Sequence, residues 1–183
     1  MSGPSGVGKT TLIERFLKDD SSSRFSVSYT TRKQRANEVD GKDYYFVDND
    51  AFQRMVQEGY FLEWEKVHGQ LYGTPEREVL QALEQGIDLF LDIDVNGALR
   101  VKDRFGSACL IFVAPPSQDV LYKRLARRGE KEIALRMKRV NDEMNKKYLF
   151  QYSVINDKLE QSYRDFKEII ETVRREVHGK DYR

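Results

Sequence analysis

Eight residues near the start of the chain constrain its fold more than any other feature. Gly3-Pro4-Ser5-Gly6-Val7-Gly8-Lys9-Thr10 reads glycine, four residues, then Gly-Lys-Thr, and it runs into an amphipathic helical pattern over Thr11–Lys18 with Leu12, Ile13, Phe16 and Leu17 on one side. Glycines let successive backbone N–H groups curl around phosphate oxygens, and the helix N-terminus adds partial positive charge. Lys9 then reaches the β- and γ-phosphates of a nucleotide, and the Thr10 hydroxyl can ligate Mg2+. The alternative is a glycine-rich turn that happens to hold a lysine; every fixed position of the motif is present, with a helix behind it, which argues against that. Such a loop normally follows a buried strand. Only Met1 and Ser2 precede Gly3, so the expectation is that this strand is nearly absent or lies outside the sequence.

The remainder alternates short apolar runs with helical patterns. Ile87–Ile93, Cys109–Ala114 and Ser153–Asn156 are too short for helices, and each is followed by a helix signal, as buried parallel strands with crossover helices require. Thr74-Pro75-Glu76 reads as a helix start with Gly86 as its stop, Asp48-Asn49 as a start for a helix through Gln57 ended by Gly59, and Ser117 as a further cap. Asp157 is another cap candidate, with Glu160 placed to reciprocate. Between Phe25 and Gly73 the segments FSVSYTTR, DYYFV and FLEWEKV are aromatic and β-branched, which predicts a small, mainly β insertion containing one helix.

Charge narrows the function classes. Lys and Arg total 31 against 30 Asp and Glu, a net of +1, so bulk electrostatic grip on nucleic acid or a membrane surface is not expected. No apolar run approaches a membrane span, no signal peptide opens the chain, and the single Cys109 excludes a disulfide framework, which together make the cytoplasm the expected compartment. The neutral total hides a local excess: Asp119–Tyr148 holds ten basic residues against five acidic ones. Positive charge is concentrated where small anions could use it.

A wider set of motifs surrounds the loop: Ser28-Tyr29-Thr30-Thr31-Arg32, Arg35, Glu38, Gly41, Asp43-Tyr44, Phe46, Glu63-Trp64, Tyr72-Gly73-Thr74, Asp92-Ile93-Asp94 with Gly97, Arg124-Leu125 with Arg128-Gly129, and Asn156-Asp157. In order and spacing, over nearly the whole chain, this resembles the guanylate kinases. The resemblance implies an α/β P-loop NTPase fold in a single domain spanning 1–183. Its parallel core sheet flanked by helices would occupy about 1–27, 75–118 and 150–183, with a mainly β GMP-binding insertion over about 28–74 and a helical lid over about 119–149. It implies transfer of phosphate from ATP to GMP, with Mg2+ as cofactor and dGMP as a plausible acceptor. Nucleic acid and membrane are not expected partners, and the sequence leaves monomer or homo-oligomer open.

Chemistry supports the carried-over site. Arg32 and Arg35, with the Tyr44 and Tyr72 hydroxyls, are the donors a phosphate dianion wants. In the resembled family Glu63 reads guanine N1–H and the 2-amino group, Ser28 and Thr74 donate to O6, and Asp94 accepts from the 2-amino group. Adenine inverts this pattern, and such sites reject the wrong partner by ~10⁴ or more. On the donor side the resemblance assigns ATP to Gly3, Pro4, Ser5, Gly6, Val7, Gly8, Lys9, Thr10, Thr11, Arg124 and Arg128. Lys9, Arg32, Arg124, Arg128 and Arg136 would offset charge during transfer, and Thr10 and, in the outer shell, Asp92 would serve the metal. Taken singly, several of these residues also suit plainer roles. Arg32 and Arg35 could be solvated strand-edge charges, Glu63 could pair with Lys66 at the surface, Tyr44 and Tyr72 could be core aromatics with wet tips, and Thr74 could double as a helix cap. Two departures from the family pattern stand out: the stretch EKEIAL before Arg136 is about three residues shorter than in many relatives, and Gln34 stands where proline is usual. A phosphopeptide-binding module of the same family would carry a degraded loop, a kinase of a ribose bisphosphate would need no guanine readers, and a regulatory GTPase would need an N/TKxD element; none of these fits.

Overall fold

The computed structural model describes residues 1–127 and 133–178. Along the chain lie α1 (Lys9–Asp19), β1 (Ser23–Phe25), β2 (Tyr29–Thr30), β3 (Tyr45–Phe46), α2 (Asn49–Gln57), β4 (Phe61–Val67), β5 (Gln70–Pro75), α3 (Glu76–Glu84) and β6 (Asp88–Phe90). They continue with α4 (Val95–Arg104), β7 (Ile111–Ala114), α5 (Gln118–Arg127), α6 (Ile133–Asn145), a 3-10 turn (Lys147–Leu149), β8 (Tyr152–Ile155) and α7 (Leu159–His178). They form two compact units, one from Met1–Asp19 with the chain from Ser107 onward, the other from Asp20–Gly106.

The first unit is built on β7, apolar at every position and buried throughout. β8 pairs with it in parallel, Val113 opposite Val154. Ahead of the phosphate loop Met1 and Ser2 are buried, and Ser2 makes a parallel bridge to Phe112, donating to Ile111 O at 2.9 Å and accepting from Val113 N at 2.8 Å. Leu12, Ile13 and Phe16 of α1 are buried as the periodicity predicts, with Phe16 set edge-on to Phe166 of α7 at 5.8 Å. Ser117 caps α5 by accepting from Val120 N at 3.2 Å. Glu160, expected to reciprocate a cap with Asp157, instead forks onto Arg15 of α1 at 2.5 and 2.8 Å, because the guanidinium offers it two donors where a cap offers one.

In the second unit β1 and β6 pair in parallel, and β3-β2-β5-β4 form a mixed sheet. Phe52 of α2, Phe61 and Leu71 form a buried cluster beneath that sheet, with Phe52 and Phe61 stacked at 4.6 Å. Asp48 caps α2 as expected, accepting from Ala51 N at 2.7 Å. Two boundaries differ from expectation. Thr74 and Pro75 close strand β5 rather than opening α3, and Pro75 holds the N-cap position without a side-chain cap. β6 stops at Phe90, short of Ile93, because Asp94 is the N-cap of α4, accepting from Gly97 N at 2.9 Å and Asn96 N at 3.3 Å. Among the described residues, no helix is long and apolar enough to cross a membrane.

Candidate active site

In the first unit the loop Gly3–Gly8 turns on three glycines of positive φ, all of them in close quarters. A Cβ on Gly3 would lie 2.1 Å from the Val113 carbonyl oxygen, and one on Gly8 would lie 2.3 Å from Asn156 Nδ2. Asn156 is buried, and its Nδ2 donates to Val7 O at 2.8 Å, so the end of β8 clamps the loop from behind. Lys9 Nζ donates to Gly3 O at 2.8 Å, laying the ammonium across the mouth of the loop, while Thr10 and Thr11 stand exposed on the first turn of α1. Two of the three arginines expected on this side converge on the loop: Arg136 Nη1 donates to Ser5 Oγ at 2.9 Å, and Arg124 donates to Val7 O at 3.3 Å and Asp157 O at 3.4 Å. Arg128 lies outside the described residues. Pro4 and Val7 are buried; Val7 N donates to Pro4 O at 3.1 Å, and the leading turn closes on that bond.

The second unit holds the residues expected for the acceptor, in two groups. In the first, Arg32 forks onto Glu38 at 2.8 and 3.0 Å, and Arg35 donates its backbone N–H to the same carboxylate at 2.8 Å. The Arg32 guanidinium stands 5.3 Å from the Tyr44 ring centroid, and Tyr44 meets Tyr72 edge-on at 5.9 Å. Arg32 is therefore not a loose strand-edge charge, while the Arg35 side chain stays exposed with its guanidinium 3.7 Å from Glu38 Oε1. Burial works to raise the Glu38 pKa, but the hydrogen bonds and charges of Arg32 and Arg35 prevail and hold it below its ordinary value. Burial pushes the Tyr44 hydroxyl well up, helped by the negative charge of Asp92 and opposed by Arg32, so it stays a protonated donor at neutral pH. Gln34, which replaces the usual proline, donates from Nε2 to Glu38 O at 2.6 Å and so closes by hydrogen bond the turn that proline would have preset.

In the second group Glu63 and Thr74 face each other directly across the antiparallel β4–β5 ladder, and the Thr74 hydroxyl donates to Glu63 Oε1 at 2.6 Å. Two readings of Thr74 are corrected, the helix cap and the donor to O6: its hydroxyl has one hydrogen, and that is committed to the carboxylate. The Lys66 pairing is corrected too. Three residues on along a strand places Lys66 on the opposite face from Glu63, and the cation near Glu63 is Arg100 of α4, 3.6 Å from Oε2. Burial raises the Glu63 pKa, Asp94 and Glu65 add to the rise, and Thr74 and Arg100 oppose it. A Cβ on Gly97 would lie 2.4 Å from Glu63 Oε2 and 3.0 Å from Asp94 Oδ1, so the bare glycine, Glu63 and Asp94 crowd one spot. Ser28 is buried at the edge of the mixed sheet, its carbonyl accepting from Tyr45 N at 2.9 Å.

Three contributors escape sequence reasoning. Asn156 and Glu38 are visible as motif residues, but their partners, Val7 O across the sheet and the guanidinium of Arg32, emerge only in the fold. Arg100 carries no signal, sitting in a helix whose cap, Asp94, suggests by sequence only a base ligand.

A glycine loop with lysine and two arginines gathered on it, in a chain that also carries an arginine–tyrosine cluster and a buried carboxylate–hydroxyl pair, defines a P-loop kinase of the kind that phosphorylates a small phosphorylated acceptor. The guanylate kinase profile matches residues 1–173. The guanylate kinase of Caldanaerobacter subterraneus subsp. tengcongensis is 43% identical over 173 residues, covering 93% of this chain and 84% of that protein. That of Thermotoga maritima is 42% identical over 178 residues, covering 96% and 86%. A crystal structure of guanylate kinase from Anaplasma phagocytophilum superposes with a TM-score of 0.75 at 30% identity, over 93% of this chain and 82% of that one. The chain belongs to the guanylate kinase family. Its α/β architecture is that of a P-loop NTPase-type kinase.

Proposed function

We propose that the chain transfers the γ-phosphoryl group of ATP to GMP, giving ADP and GDP, in the purine nucleotide metabolism of the cytoplasm. The observation that carries the choice of acceptor is the Glu63–Thr74 pair, a buried carboxylate whose Oε1 is held by a hydroxyl at 2.6 Å. A carboxylate in that setting calls for donors, and guanine brings two adjacent ones, N1–H and the 2-amino group; adenine presents an acceptor there. Asp94 is in reach of the same amino group, and Ser28 supplies a hydroxyl for O6. Arg32, Arg35, Tyr44 and Tyr72 hold the GMP phosphate, and dGMP serves as a second acceptor because no part of this reading needs the 2′-hydroxyl.

On the donor side the backbone N–H groups of Gly6, Gly8, Lys9, Thr10 and Thr11 and the Lys9 ammonium take the ATP phosphates. Among the described residues no cluster of three or more His, Cys, Asp or Glu is placed to hold a metal. Mg2+ draws its ligands from nucleotide phosphates, waters and a few protein oxygens, and here Thr10 and, in the outer shell, Asp92 would serve it. When bound, Mg2+ neutralises charge on the donor phosphates. A GMP phosphate oxygen attacks the γ-phosphorus as the bond to the β–γ bridging oxygen breaks, and ADP leaves with that electron pair. No general base is required, since a phosphate monoester is largely dianionic at neutral pH. Lys9, Arg124 and Arg136 offset the charge of the transferring group, and Arg128 is assigned to the same task. Exclusion of water from the γ-phosphate would suppress wasteful hydrolysis of ATP.

The test is a screen of GMP, dGMP, AMP, CMP and UMP with ATP and Mg2+, reported as kcat/KM. The expected result is turnover of GMP and dGMP far above the rest. Equal use of AMP would refute the role of Glu63.

A further inference from the structure

Arg100 sits on α4, half-exposed, at the edge of the guanine-reading group. A single nitrogen, Nη2, meets three oxygens: Trp64 O at 2.8 Å, Glu65 Oε2 at 2.8 Å and Glu63 Oε2 at 3.6 Å. Nη2 carries two hydrogens, and the two short contacts take both. The approach to Glu63 is therefore a contact of charges with no hydrogen bond in it, since 3.6 Å is too long for one. That distinction matters for a carboxylate that must receive two donors from a base. Thr74 already occupies Oε1, and a cation bonded directly to Oε2 would compete with the ligand.

We propose that Arg100 is a positioning residue for guanine selection, supplying the positive charge that lets buried Glu63 act as an anionic acceptor while leaving Oε2 to the base. The proposal rests on the GMP reading above. The groups facing Glu63 come from three elements. Glu65 on β4 and Asp94 at the start of α4 are negative and work against its charge; Thr74 on β5 and Arg100 on α4 favour it. Arg100 is the cation of this set. The anchoring to Trp64 O and Glu65 holds the guanidinium at this distance and ties α4 to β4 at the level of the site.

The experiment compares wild type, Arg100→Ala, Arg100→Lys, Glu63→Gln and the double variant. kcat/KM for GMP is followed from mildly acidic to alkaline pH, with KM for ATP alongside. In Arg100→Ala the acid limb moves to higher pH, with kcat/KM for GMP about fivefold lower on that limb, the scale of one half-exposed charge pair. At alkaline pH the curves converge, and KM for ATP stays flat throughout. Arg100→Lys restores most of the limb, and Arg100→Ala adds nothing on top of Glu63→Gln. A profile of Arg100→Ala that superimposes on wild type overturns the proposal. So does a loss of equal size at every pH, which is what a merely structural contact gives. A second readout does not depend on which acceptor the enzyme uses: the Glu63 carboxyl is titrated by 13C NMR in the free protein. Its midpoint is expected to rise in Arg100→Ala, and an unmoved midpoint overturns the proposal whatever the acceptor screen returns. Failure of wild type to use GMP, with the midpoint moved, refutes the acceptor reading and leaves the charge role of Arg100 standing.

Discussion

Gly97→Ala separates recognition from stability more cleanly than any other single change. Gly97 lies in the first turn of α4, with ordinary helical φ, so alanine meets no backbone strain there. Alanine in place of glycine in a helix gains about 1 kcal/mol. The added methyl, however, would stand 2.4 Å from Glu63 Oε2, where ordinary contact begins at 3.4 Å, so the carboxylate must withdraw by 3.4 − 2.4 = 1.0 Å. The ends of two side chains yield, since Asp94 Oδ1 would stand 3.0 Å from the methyl and must give by a few tenths of an ångström as well. Thr74 pins Oε1 at 2.6 Å, which leaves Oε2, the oxygen proposed to meet the base, to swing away. A displacement of this size at a positioning group costs about 10²-fold in kcat/KM. The assay is coupled ADP release with GMP and ATP varied separately, beside a thermal melt. The expected result is a loss of about 10²-fold in kcat/KM for GMP, an unchanged KM for ATP, and a melting temperature equal to or above that of wild type. A nearly normal kcat/KM for GMP would refute the assignment of Glu63. A melting temperature well below wild type would mean that the methyl had displaced backbone.

Further changes probe the other groups. Lys9→Ala is expected to lower kcat by about 10²–10³-fold or more with the melting temperature kept, as loss of a charge-stabilising donor does, and near-normal turnover would remove Lys9 from the transfer step. Glu63→Gln is expected to raise KM for GMP by about 10- to 100-fold with little change for ATP. The same variant should melt higher than wild type at neutral pH. Burial raises the Glu63 pKa, so its contribution to stability is full below the ordinary value of 4.5 and is lost as pH rises through the folded value, and the difference from Gln must shrink on acidification; a constant difference contradicts this. Glu38→Gln frees Arg32 and should raise KM for GMP. Because the Glu38 pKa is held low in the fold, its stabilisation is present above the ordinary value of 4.5 and fades as pH falls through the folded value, so melts of variant and wild type should converge in acid. Gly3→Ala places a methyl 2.1 Å from a backbone oxygen at φ +138°, and a loss of about 3 kcal/mol or more is expected in denaturant titration.

Elements with a strictly local cause were legible. The glycine loop and the apolar stripe of α1 are contiguous, and β7 is apolar residue after residue, so neighbours in sequence carry the signal. Asp48 and Ser117 cap helices that start right behind them. Boundaries failed where a side chain had a better distant partner than the local one. Thr74 resembles a cap because proline follows it, yet the carboxylate 11 residues earlier stands directly across the ladder and takes its hydroxyl. Glu160 resembles half of a reciprocal cap, yet Arg15, 145 residues away, offers a two-pronged contact.

The residues proposed to meet phosphate and base are thus picked out by motif order and by the family resemblance those motifs carry. The partners that tune those groups were decided by tertiary structure. Whether Glu63 meets Lys66 or Arg100 depends on strand alternation, which turns Lys66 to the other face, and on the placing of α4 beside β4. Whether Asp94 only reads a base or also starts a helix depends on where β6 stops. Asn156 grips the phosphate loop because β8 ends behind it, although 149 residues separate Asn156 from Val7. Electrostatic influence falls off with distance through space and not along the chain, and for that reason Arg100 bears on the buried Glu63 carboxylate although nothing in the sequence marks the two as partners.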